Sequence, residues 1–202
     1  MKIALIYLHG FNSASVDAEG NLLRSKPKLP ILAEFCRRKH WLLSAPNLDY
    51  RDFQSVLDSL CLAWNQYLDQ GYQVIFMGSS LGGFASLYLG MKTASQAIMI
   101  NPALTPSQLL QQFIGLNQDP QTGQAYDWQM DHCQQFLAYE QALEQFSPAL
   151  KPIILLDMAD ELIDSHVTVD RYHDRAELIC FAGGSHSFEH MAQALLQLEA
   201  LL

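Results

Sequence analysis

The sequence predicts an α/β domain: a mostly parallel six-stranded sheet flanked by helices. Three observations predict it. Six short apolar runs, at 2–8, 41–45, 73–77, 96–100, 152–157 and 177–181, are separated by helical patterns, which is the alternation of βαβ units. Most of these runs are continuous in Val, Ile and Leu, as strands covered on both faces are. The chain has 202 residues, half of them apolar and 16% charged, enough for one domain with a substantial core and unlike a disordered chain.

The first run, 2–8, ends in His9-Gly10 and is too short for a signal-peptide apolar region. It reads as the opening strand of a cytoplasmic protein. Helical patterns follow each strand at 30–39, 53–70, 81–91 and 167–173. The last helix, 188–202, carries Met191, Leu195, Leu198 and Leu202 at helical spacing and should pack on the sheet. The stretch 103–150 breaks this rhythm. No strand is expected in it. It is rich in Gln, with Trp128, Phe136, Tyr139 and Phe146 spaced through it. Helices at 106–114 and 127–146 fit, with Asp119-Pro120 and Thr122-Gly123 marking the turn between them. The stretch is too long for an ordinary connection. It is expected to be a helical lid inserted into a single domain spanning 1–202, the alternative being a long crossover packed on the sheet.

Composition excludes several functions. Lys and Arg number 12 against 21 Asp and Glu, a formal charge of −9 with no basic block, so nucleic acid and anionic lipid are poor partners. No apolar run approaches the roughly 18 to 20 residues of a membrane span. Cys36, Cys61, Cys133 and Cys180 form no CxxC and are expected to be reduced thiols. No histidine pairs with another His or Cys at zinc-site spacing. His186 and His190 are four apart but straddle a helix start without a third ligand nearby, so no metal is expected.

The chemistry concentrates in three places. Gly78-Ser79-Ser80-Leu81-Gly82-Gly83 follows the run 73–77 and opens a helix, which is G-x-S-x-G in its strand–turn–helix context. A serine hydroxyl is a poor nucleophile and must be presented rigidly to a base, which a tight, strained turn does. The G-x-x-x-x-G-K-[ST] of a phosphate loop is absent. Ser80 then needs a histidine, and the histidine an orienting acid. Gly183-Gly184-Ser185-His186 follows the run 177–181 and supplies the base. Asp157, Asp160, Glu161 and Asp164 crowd the turn after 152–157. Asp157 ends the strand, Asp164 is placed to cap the next helix and Glu161 should point elsewhere, which leaves Asp160 as the acid. The oxyanion of acyl transfer needs two donors: the backbone N–H of Leu81, and that of Phe11 in the loop after the first strand. His9 sits in that loop as a rival base, though hydrogen bonding that shapes the loop is the expected role.

LHGF near the N-terminus, GSSLGG, DELID and GGSHSF together resemble the α/β-hydrolase superfamily, and within it the small YqiA-type bacterial esterases. The resemblance runs the length of the chain. It implies a sheet in spatial order 2-1-3-4-5-6 without the usual leading antiparallel hairpin. It also implies a serine esterase or thioesterase acting on a small-molecule acyl ester or thioester through Ser80, Asp160 and His186, with no cofactor. Two alternatives remain at this level: an inert hydrolase-like binding protein, and an acyltransferase using the same triad.

Overall fold

The computed structural model describes residues 2–145 and 149–202. The chain runs β1 (Lys2–Leu8), α1 (Lys28–Lys39), β2 (Leu42–Ser44), α2 (Phe53–Asp69), β3 (Tyr72–Ser79), α3 (Leu81–Thr93) and β4 (Gln96–Ile100). The insertion holds α4 (Pro106–Leu109), a 3-10 turn (Leu110–Phe113), β5 (Gly115–Gln118), β6 (Ala125–Trp128), α5 (Met130–Gln134) and α6 (Leu137–Gln145). Then come β7 (Ile153–Asp157), α7 (Ser165–Tyr172), β8 (Glu177–Phe181) and α8 (Met191–Leu198).

The main sheet has six strands in the order β2-β1-β3-β4-β7-β8, and every pairing is parallel. Counting only its own strands, this is the expected 2-1-3-4-5-6 order. Both faces are covered, which explains the continuous apolar runs. Along β1 the side chains alternate between two cores. Ala4, Ile6 and Leu8 join Phe53, Leu57, Leu60, Phe84 and Leu87 of α2 and α3 on one face. Ile3, Leu5 and Tyr7 join Leu32, Phe35, Met191 and Leu195 of α1 and α8 on the other.

Local chemistry sets the helix ends. Asp52 caps α2 by accepting from Ser55 N–H at 3.0 Å. Arg37, Arg38 and Lys39 in the last turn of α1 complement its negative end. Asp164 caps α7, its Oδ1 accepting from His166 N–H at 2.9 Å, as expected. The helix expected over 188–202 begins only at Met191. The chain before it is held in a loop, with Phe188 at φ 59° and Glu189 N–H donated to the Asp157 carboxylate at 2.7 Å.

The insertion corrects the sequence expectation. Residues 115–118 and 125–128 form an antiparallel hairpin where no strand was expected, and 127–128 belong to its second strand rather than to the start of a helix. Asp119 Oδ1 accepts from the N–H groups of Gln121 and Thr122, and Gly123 turns the chain at φ 70°. The Asp-Pro and Thr-Gly pairs therefore close a hairpin, which Tyr126 and Trp128 favour as aromatic strand residues. Trp128, Cys133, Phe136 and Leu143 pack into the α2–α3 core. Phe146, the last aromatic of the expected helix, lies outside the described residues.

One contact fixes the centre of this arrangement. A Cβ on Gly78 would sit 2.0 Å from the Gly82 carbonyl oxygen, and one on Gly82 would sit 2.0 Å from that of Leu8. Ala is favoured over Gly inside a helix by about 1 kcal/mol, yet backbone cannot yield at such a separation. Gly82→Ala is therefore expected to cost about 1–3 kcal/mol or more in urea unfolding. A stabilised variant would mean that α3 and β1 do not approach this closely.

Candidate active site

Ser80 stands between β3 and α3 with φ 55° and ψ −120°. A non-glycine residue there stores strain of about 1–3 kcal/mol, which the surroundings must hold. They do so through backbone: Ser80 N–H donates to Ile100 C=O at 2.9 Å, and its own C=O accepts from Gly83, Phe84 and Ala103.

His186 lies in the loop between β8 and α8. Its Nδ1 bonds Asp160 Oδ2 at 2.8 Å, and Asp160 Oδ1 accepts from Leu162 and Ile163 N–H at 2.8 and 2.9 Å. Burial pushes the Asp160 carboxyl up, but the His186 ring and these two amides outweigh it and hold the group below its ordinary value. The carboxylate faces Nδ1, which directs Nε2 of the ring away from it. Ser80 and His186 line the same cavity of about 250 Å³. Among the described residues no hydrogen bond joins Ser80 Oγ to the ring.

The loop that carries His186 depends on residues the sequence reading gave no role there. Asp157 is fully buried at the end of β7. Its Oδ2 accepts from Ser185 and Glu189 N–H, and its Oδ1 bonds His190 Nδ1 at 2.7 Å. The His190 ring stacks on Phe181 with centroids 4.9 Å apart. Gly184 passes so close that a Cβ would meet Asp157 Oδ2 at 1.9 Å, and its φ of 75° suits glycine. Asn101 joins the two sides. Its Oδ1 accepts from Asp157 N–H, and its Nδ2 donates to Ser185 C=O. Glu161, expected to point elsewhere, accepts the His186 N–H at 2.9 Å. His186 and His190 thus serve two different carboxylates.

Phe11 lies in the loop facing Ser80 and lines the cavity with Gly10, Tyr7 and Lys28. No protein acceptor takes its N–H among the described residues. Leu81 N–H belongs to the first turn of α3, where helix donors have no intrahelical partner. His9 shapes this loop. It is buried, its Nε2 accepts from Leu48 N–H at 2.8 Å, and its Nδ1 bonds Gly10 C=O at 2.8 Å. Both ring nitrogens are committed, which removes it as a base. The insertion grips the same loop from outside: Asn12 bonds Asn117 and Tyr126, and the Phe11 ring packs on Trp128 and Phe113. Among the described residues, none of those lining the Ser80 cavity comes from 103–150.

The model of the uncharacterised protein family UPF0227 matches residues 4–202. The chain belongs to that family. Solved structures share the fold across it, as the resemblance to YqiA-type proteins implied. A hydrolase of the α/β superfamily from Xanthomonas campestris pv. campestris is 19% identical, with 98% of this chain and 99% of that one covered at a TM-score of 0.63. Est1E from Butyrivibrio proteoclasticus is 14% identical, with 99% and 86% covered at 0.71. A serine hydrolase without a lid, also from Xanthomonas campestris, is 15% identical, with 98% and 79% covered at 0.61. At these identities the likeness establishes the α/β-hydrolase fold.

His9 gives the fold a pH dependence. Burial, opposed by the Gly10 hydrogen bond and helped by Lys26, lowers its pKa to about 4. Unfolded, it titrates near 6.5. The unfolded chain therefore binds the extra proton first, and its stabilising effect, complete above pH about 6.5, is lost as pH falls toward 4. The expected loss is about 3 kcal/mol. Urea unfolding between pH 7 and 4 measures it, and His9→Gln should flatten that part of the profile.

Proposed function

We propose that this chain is a carboxylic ester hydrolase, a serine esterase or thioesterase that works through an acyl-enzyme on Ser80. One observation supports this most: Ser80 in its strained turn and His186, its Nδ1 held by Asp160, meet at one cavity. In this reading Ser80 Oγ attacks the acyl carbonyl while His186 Nε2 takes its proton. Asp160 fixes the ring tautomer and stabilises the imidazolium. The Leu81 and Phe11 N–H groups donate to the oxyanion. Collapse expels the alcohol or thiol with the proton from His186, and water repeats the sequence to release the acid.

Turnover of 4-nitrophenyl esters and acyl thioesters of graded length tests the reading. Ser80→Ala should lose about 10³-fold or more in kcat while the fold is kept, and a fluorophosphonate should label the native protein and not this variant. Native protein that stays unlabelled and inert would instead be a binding protein on the same fold.

The acid is tested separately. Asp160→Asn should lower turnover by about 10³- to 10⁴-fold, because the amide favours the wrong imidazole tautomer. Asp164→Ala should cost about 1 kcal/mol of stability through its lost cap and leave turnover near normal. The reverse pattern would move the acid to Asp164.

A further inference from the structure

The cavity shared by Ser80 and His186 contains a cation for which this reaction scheme has no use. Lys28, the first residue of α1, lines it, and its Nζ donates to Ser79 Oγ at 2.8 Å. Ser79 directly precedes Ser80, so covalent geometry keeps the ammonium within about 11 Å of Ser80 Oγ. An ammonium has three donors, and Ser79 is its one hydrogen-bond partner among the described residues.

The neighbouring carboxylates favour its charge from a distance but are bonded elsewhere. Asp157 is committed to Ser185, Glu189 and His190, and Asp160 to Leu162, Ile163 and His186. Neither forms an ion pair with Lys28 among the described residues. Lys26 lines the same cavity, so a chain of formal charge −9 places two lysines beside its candidate nucleophile. A cavity shaped only for hydrocarbon gains nothing from such a group, since desolvating an unpaired charge costs free energy. An incoming carboxylate supplies both the missing acceptors and the missing charge, in a bond about twice as strong as a neutral one.

We propose that Lys28 is a specificity-determining residue that binds a carboxylate on the acyl chain of the substrate, so that half-esters of short dicarboxylic acids are the preferred substrate class. The proposal rests on the esterase reading and deepens it. An extended six-carbon diacid separates its two carboxyl carbons by about 6 Å. With the ester bond and the ionic hydrogen bond added it reaches about the 11 Å limit, so six carbons is about the longest extended chain the span admits.

The charge on Lys28 is itself adjustable. Burial and Lys26 lower its pKa and Asp157 and Asp160 raise it, leaving it at about 8. The other groups around it are Tyr7 of β1, which burial pushes up and keeps neutral, Ser79 of β3, and His186 across the cavity.

The test compares kcat/KM for mono-4-nitrophenyl adipate, an anion, with that for its neutral methyl ester. Both esters use the same Ser80 and His186, so their ratio isolates recognition of the carboxylate. At pH 7 the anion should be favoured about tenfold or more. Lys28→Met should bring the ratio to one or below, and Lys28→Arg should keep it above one. Should the Met variant fail to fold, the native protein supplies the same readout, because the ratio should fall as pH rises through about 8 while the substrate carboxylate stays ionised. Turnover of the methyl ester with a ratio near one, or with a ratio unmoved by Lys28→Met and by pH, overturns the proposal and leaves the esterase reading intact. If neither ester is consumed, or both are consumed equally well by Ser80→Ala, the two readings fall together.

Discussion

Everything at the carboxyl end of the sheet is placed by the contact between α3 and the first strand. Because Gly78 and Gly82 carry no side chains, the helix settles against the carbonyls of Leu8 and His9. That proximity brings the Gly10–Phe11 loop against Ser80, and the backbone bonds to Ile100 and Ala103 hold the serine in a conformation it would not adopt alone. A larger residue at either glycine would separate the Ser80 turn from the loop opposite, and the cavity between them would lose its shape.

The sequence disclosed the parts of this site that have a local signature. Ser80 lies in a motif whose glycines have a steric meaning, and His186 follows a glycine-rich turn after a clear strand. Asp160 could be separated from its acidic neighbours by counting from the end of β7. The sheet was equally legible, since a strand buried on both faces shows as an unbroken apolar run. The hairpin of the insertion was not. Its strands are four residues each, and Leu116, on β5, is 81% exposed, so no periodicity marks them. The cue that could have revealed it was Asp-Pro followed by Thr-Gly between short stretches containing Leu116 and Tyr126. Asp157, Asn101, Glu161 and Lys28 were invisible for another reason: their partners lie 25 to 84 residues away in the chain. Such partners are defined only once the fold exists.

Two imidazole–carboxylate pairs sit side by side, and their surroundings separate their roles. The Asp160–His186 pair opens onto the cavity. In the Asp157–His190 pair neither residue lines that cavity; Asp157 also gathers two loop amides and His190 stacks on Phe181. A buried carboxylate with this many donors is a structural anchor. It fixes the chain on both sides of His186 although the loop has no regular structure.

Phe11 has a further consequence. Its backbone borders the cavity, while its ring is clasped by Trp128 and Phe113 of the insertion. The extra segment is therefore no detachable module. Excising it, or grafting in the corresponding piece of a distant relative, would strip the ring of its packing and slacken the turn opposite the serine. The chain after β1 and the chain after β4 therefore form one packed unit despite the hundred residues between them.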